Sequence, residues 1–142
     1  MDETKNEIKK KKINYIIKIE DKSLNGKGKE YYKDGTLKFE GEYLNGKRNG
    51  KGKKYYFDGL PEIEGYYLNW KKNGKIKEYN LNGILVFEGE YLNDMKNGIG
   101  KEYFFDGPLR FEGEYLNDQR NGKGKEYDKG GNIRFEGEIF IW

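Results

Sequence analysis

A four-residue motif that returns every 24 residues limits this chain to an array of similar units. Phe39-Glu40-Gly41-Glu42 recurs as Ile63-Glu64-Gly65-Tyr66, Phe87-Glu88-Gly89-Glu90, Phe111-Glu112-Gly113-Glu114 and Phe135-Glu136-Gly137-Glu138. Asn-Gly pairs begin at 25, 49, 73, 97 and 121, and Tyr31, Tyr55, Tyr79, Tyr103 and Tyr127 keep the same interval. A unit this short buries apolar surface only against its neighbours, so the core must run along the array. Copies 39–62, 63–86, 87–110 and 111–134 match closely. Residues 15–38 form a degenerate first copy opening on Tyr15-Ile16-Ile17-Lys18-Ile19, and 135–142 form a terminal strand. The organisation read from this is a Lys-rich leader, 1–12, before a repeat domain, 13–142.

Each copy reads as two strands. Leu37, Phe39, Gly41 and Tyr43 alternate with polar residues, the period of a half-buried strand, and Lys51 to Tyr56 supplies the return. Asn45 to Gly50 reads as a loop and Asp58-Gly59 as a turn that accepts positive φ. Glycine recurs too often for helix. The expected fold is all-β: a single-layer antiparallel meander of stacked hairpins, curved and elongated, at about 4.8 Å per strand.

Comparison of copies suggests the hairpin register. A three-residue turn such as Lys33-Asp34-Gly35 sets Glu30 opposite Lys38, Lys54 opposite Glu62, Glu102 opposite Arg110 and Glu126 opposite Arg134. The linked sign reversal in the second pair is what a cross-strand contact predicts. Glu78 opposite Val86 departs from it. This register places Tyr55, Tyr79 and Tyr103 on the face of Phe39 and Tyr43. It also strands Lys29, Lys53, Lys77, Lys101 and Lys125 there unless their charges snorkel outward or Gly-x-Gly carries a second bulge.

The run Phe-Glu-Gly-Glu-Tyr-Leu-Asn-Gly-Lys-Arg-Asn-Gly-Lys-Gly at 39–52 resembles the MORN repeat, with its aromatic-x-Gly-x-aromatic core and later Gly-x-Gly. The 24-residue spacing is similar to the YwqK-type variant. Tyr43, Tyr67, Tyr91 and Tyr115 stand where the common pattern often has Trp. The resemblance implies a curved one-layer sheet with an aromatic groove, and a scaffold that dimerises, binds peptides or helices, or meets phospholipid.

Composition removes several chemistries. With no Cys and no His, thiolate sites, the usual zinc ligands and the commonest general base are absent, and Ser23, Thr4 and Thr36 are the only aliphatic hydroxyls. We expect no catalytic residues, metal or cofactor. The Glu-x-Glu pairs read as a salt-laced solvent face, because neighbouring lysines balance them. Residues 1–12 hold five Lys and three acids, which leaves 23 basic against 22 acidic residues in the rest. With four arginines and a neutral body, nucleic acid is not expected as a partner. No apolar run spans a bilayer and no signal-peptide core opens the chain, so a soluble cytoplasmic protein is expected.

The leading functional expectation is a non-enzymatic scaffold that grips a protein helix or extended peptide in an aromatic groove lined by Phe39, Tyr43, Tyr55, Tyr67, Trp70, Tyr79, Phe87, Tyr91, Tyr103, Phe111 and Tyr115. The competing reading makes those side chains the core. The copy at 63–86, with Tyr66, Trp70, Ile76 and Val86 replacing Glu, Gly, Gly and a charge, reads either as a binding hot spot or as drift. Ile139, Phe140, Ile141 and Trp142 form an apolar edge assigned to homodimerisation. Two further readings are attachment to anionic membranes through Lys9 to Lys12 with the loops Lys47-Arg48 and Lys71-Lys72, and an antitoxin-like inhibitor.

Overall fold

The computed structural model describes residues 24–140, and these form one open sheet of 10 strands in strict sequence order. The strands are β1 (Gly26–Tyr31), β2 (Leu37–Leu44), β3 (Lys47–Tyr55), β4 (Pro61–Leu68), β5 (Lys71–Tyr79), β6 (Leu85–Leu92), β7 (Met95–Tyr103), β8 (Leu109–Leu116), β9 (Gln119–Tyr127) and β10 (Ile133–Ile139). Every pairing is antiparallel, and there is no helix or second layer among the described residues. The single-layer meander read from the repeat is the observed fold.

Two connections alternate along the array. The first is the expected three-residue turn: in Lys33-Asp34-Gly35, Gly35 sits at φ 91° and donates to the Tyr32 carbonyl, while the Tyr32 amide donates to Thr36. The second is tighter than expected. Leu44 pairs with Lys47 across only Asn45-Gly46, both at positive φ, the backbone a two-residue hairpin loop needs to match strand twist. Asn49 to Lys51 therefore lie inside β3, where they bulge opposite Glu42, and the Glu42 carboxylate accepts the Lys51 amide at 2.7 Å.

The register differs from the expected one by a single bulge. Tyr31 opposes Leu37, but the next pair is Glu30 with Phe39, so Lys38 is an extra residue and side-chain parity reverses beyond it. Glu62, Val86, Arg110 and Arg134 occupy the same bulge in later copies. Glu30, Glu102 and Glu126 thus oppose Phe39, Phe111 and Phe135 rather than Lys38, Arg110 and Arg134. The Lys54–Glu62 ion pair does form, at 3.3 Å. Parity also moves Lys29 and Lys53 off the aromatic face to oppose Glu40, which removes any need to snorkel.

The core is a row of side chains along the Phe39 face. Phe39, Tyr43 and Tyr67 form one buried cluster, and Ile76, Phe87, Tyr91, Phe111 and Tyr115 form another, with Ile63 packed against both. Rings meet edge to face: Phe39 with Tyr67 at 5.2 Å, Phe87 with Tyr115 at 5.7 Å. Such pairs add about 0.5–1.5 kcal/mol beyond area burial. Glycine is what lets the rings lie down. A Cβ at Gly52 would stand 2.3 Å from Phe39 Cζ.

Candidate functional site

With no second layer above them, the aromatics are sealed by their own cations. Arg48, one strand from Phe39, lays its guanidinium 4.1 Å from the ring centroid and is held flat by a two-point ion pair to Glu30, Nε to Oε2 at 2.6 Å and Nη2 to Oε1 at 3.0 Å. Arg120 repeats this over Phe111 at 4.0 Å with Glu102. Lys96 covers Phe87 and Lys72 covers Tyr91, each at 4.2 Å. The tyrosine hydroxyls close the margin: Tyr43 donates to Glu30, Tyr91 to Glu78 and Tyr115 to Glu102. At Arg48, Arg120 and Lys72 a partly buried cation on a ring is combined with charge-assisted hydrogen bonds, both stronger than their exposed equivalents.

The expected aromatic groove is therefore closed. Phe39 and Phe111 are 0% exposed, Phe87 is 2%, and Tyr43, Tyr67, Tyr91 and Tyr115 are 3–5%. These residues are core, because arginine and lysine stems take the place of a missing layer. Tyr55, Tyr79 and Tyr103 stand on the other face, carried there by the bulge, where their hydroxyls donate to Glu40, Glu64 and Glu88. Trp70 is 39% exposed at the loop edge, with Tyr43 and Arg48 beside it. The departures in copy 63–86 divide accordingly. Ile76 replaces glycine where Ile63 replaces phenylalanine, so volume removed from one strand is returned from the next, and Ile76 is 1% exposed. It fills the core.

The face left open carries the charges. Glu40, Glu64 and Glu88 alternate strand by strand with Lys53, Lys77 and Lys101 around a trough of about 770 Å³ whose floor is the backbone of Gly52, Gly65, Gly89 and Gly100. Ile99 lines its loop side, and a second hollow of about 510 Å³ continues it toward Glu136 and Glu138. Tyrosine hydroxyls from one side orient the Glu40, Glu88 and Glu112 carboxylates at 2.6–2.7 Å. Sequence reading assigned these glutamates to a salt-laced face, but its register set Lys53, Lys77 and Lys101 on the aromatic one, from which the bulge removes them. It missed that the face is hollow, because that depends on the Lys38-type bulge, which no residue type marks.

Four stretches of the chain, 23–37, 39–60, 87–108 and 111–133, match the family model for the MORN repeat. The protein belongs to the MORN repeat family. The intervening copy, 63–86, is the one in which Ile63, Tyr66, Trp70 and Ile76 break the pattern. No curated protein matches the chain. MORN repeats are binding or scaffold modules, typically non-enzymatic, and this array shows how such a unit divides its surfaces: one side is closed by ring and cation, the other is open and ionic.

Titration behaviour follows the same division. Burial, reinforced by the hydrogen bonds to Glu30, Glu78 and Glu102, pushes Tyr43, Tyr91 and Tyr115 far above the usual phenol range. Burial, helped by the charges of Glu62, Asp94 and Glu30 and opposed by Arg48, pushes Tyr67 up to about 12, and burial with a bond to Glu40 or Glu88 does the same to Tyr55 and Tyr103. Burial works to raise Glu102, but Arg120 and Tyr115 outweigh it and hold the carboxyl below its ordinary value.

Of the basic pairs Lys47-Arg48 and Lys71-Lys72, Arg48 and Lys72 are committed to Phe39 and Tyr91, which leaves Lys47 and Lys71 exposed. Lys9 to Lys12 lie outside the described residues, as do Ile141 and Trp142 of the assigned dimer edge. Of that edge, Ile139 packs on the core and Phe140 is 66% exposed. No helix among the described residues is long and apolar enough to cross a membrane, and no metal-binding cluster of carboxylates occurs among them.

Proposed function

We propose that this MORN array is a non-catalytic scaffold that holds a segment of a partner protein, helical or extended, in the glycine-floored trough of its Glu-Lys face. One observation carries the reading: the trough lies on the face opposite the sealed aromatics, so it is the concave surface at which docking needs no core residue to move. Glutamate and lysine columns alternate at about 4.8 Å, strand by strand, which suits a segment bearing both signs of charge laid across the strands. The tyrosine hydroxyls hold half of those charges in place, which lowers the ordering cost of binding.

The test uses the full chain with Lys53, Lys77 and Lys101 each changed to Gln, which removes the cations without setting like charges across the strands. Their removal leaves the Phe39 row intact, so the variant keeps its sheet by circular dichroism. Affinity capture followed by cross-link mapping should find the partner against residues 40–101 in the wild type and lose it in the variant. Retention of the same partner by the triple variant contradicts the trough.

A further inference from the structure

We propose that the trough takes an extended segment, not a helix, which carries an acidic and a basic residue four positions apart, the acid seated at Tyr66 and the base at Ile99. The inference rests on the trough being the docking site and specifies the chemistry of what lies in it.

The width of the trough selects the backbone. Its walls are the residues on either side of each glycine, such as Glu88 and Glu90 about Gly89. These are two positions apart on one strand, so the walls stand about 7 Å apart at their Cα atoms. A helix with its side chains is about 10–12 Å across, too wide to reach the glycine floor, whereas a single extended chain lies along it.

The loop-side wall sets the charges. Its residues oppose one another across β1–β2, β5–β6 and β9–β10 as lysine to glutamate: Lys27 to Glu42, Lys75 to Glu90 and Lys123 to Glu138. Two pairs break the rule in opposite senses, because Lys51 opposes Tyr66 and Glu114 opposes Ile99. Tyr66, 45% exposed, has Lys51, Lys53, Lys75 and Lys77 on the strands beside it against Glu64 on its own. Ile99, 58% exposed, has Glu88, Glu90, Glu112 and Glu114 on the strands beside it against Lys101 on its own. One end of the trough therefore favours an anion and the other a cation, each beside an exposed apolar side chain.

The backbone points the same way. Glu42, Glu90 and Glu114 each accept an amide from the next strand, those of Lys51, Ile99 and Lys123, whereas Lys75 has Tyr66 in place of that carboxylate. An acidic side chain of the partner brings to this position the charge that the sister copies carry themselves. Tyr66 on β4 and Ile99 on β7 are three strands apart, about 14 Å, and four residues of extended chain cover about 13 Å with the first and last side chains on the same side.

Selection of random nine-residue peptides, displayed on phage, against the full chain tests this. Enriched peptides should pair an acid with a base at a spacing of four, in either order because the peptide can lie in either direction. They should bind Tyr66→Glu with Ile99→Lys roughly tenfold or more weakly. That double variant gives copy 63–86 and copy 87–110 the residues of their sisters at two exposed positions, so its circular dichroism should be unchanged. A photoreactive residue beside the peptide's acid should label β3 to β5, and one beside its base β6 to β8. Peptides that need Lys53, Lys77 and Lys101 but lack the spacing, or that bind the double variant undiminished, overturn the inference and leave the trough standing. Peptides indifferent to those three lysines, or no enrichment at all, overturn the trough and the inference with it.

Discussion

Tyr67 shows what a single departure from the repeat does. Tyr43, Tyr91 and Tyr115 give their hydroxyls to the glutamates at 30, 78 and 102, whereas the equivalent position for Tyr67 is Lys54, and the Tyr67 hydroxyl is buried with no hydrogen-bond partner. Lys54 has turned to Glu62 in the bulge instead. The double exchange Lys54→Glu with Glu62→Lys should supply the missing acceptor while keeping the bulge pair, and stabilise the protein by about 1–2 kcal/mol, read as a rise in urea midpoint at unchanged slope. The tyrosine hydroxyls together set the alkaline limit. Their folded-state pKa values are raised above the unfolded value of about 10, so the protonated fold is favoured fully below pH 10 and that contribution is lost as pH climbs through the folded values. Stability should therefore fall from about pH 10 upward, with Tyr55, Tyr67 and Tyr103 at about 12 and Tyr43, Tyr91 and Tyr115 beyond them. Absorbance of phenolate followed alongside circular dichroism should show those phenols ionising only as the sheet melts. Glu102 works in the opposite sense, adding stability above the carboxylate range that is lost as pH falls through it.

At the scale of the hairpin, the volume exchange between β4 and β5 is the feature most open to a cycle of substitutions. Ile63→Phe alone overpacks against Ile76 and should cost about 1–3 kcal/mol. Ile76→Gly alone opens the core and should cost about 3–5 kcal/mol. The pair together restores the Phe39–Gly52 arrangement, so its effect should fall well short of the sum, a coupling measurable by denaturation of all four proteins. This exchange could have been read from sequence, since Ile63 and Ile76 are changed together in the same copy. Strand number, order and the three-residue turn were also legible, because period, alternation and Asp-Gly each have one structural meaning. The bulge at Lys38 was not. Its occupants are Lys, Glu, Val, Arg and Arg, which share no chemistry, and parity alone decides that Tyr55 leaves the aromatic face while Glu30 joins it. The Lys54–Glu62 covariation was a true contact from a residue in the bulge, and so it suggested the wrong register.

Across the described residues, strands hydrogen-bond only to their sequence neighbours and side chains reach one strand further, so stability is passed along the array from one repeat to the next. Phe39→Ala should cost about 3–5 kcal/mol, and amide exchange should quicken in β1 to β4 well before β8 and β9. That gradient reflects two buried clusters joined through Ile63 rather than one centre. The molecule's surfaces follow from the same arithmetic of layers: a sheet with nothing above it must cover its rings from within, and the cations that do so are no longer available to ligands. Whether the aromatic side is closed in this way is decided most directly by hydroxyl-radical footprinting read residue by residue. Tyr43, Tyr67, Tyr91 and Tyr115 should be strongly protected in the native chain while Tyr66, Phe57 and Phe105 are labelled readily. Labelling of the four core tyrosines at the rate of Tyr66 would mean that the face is open, and would contradict the account.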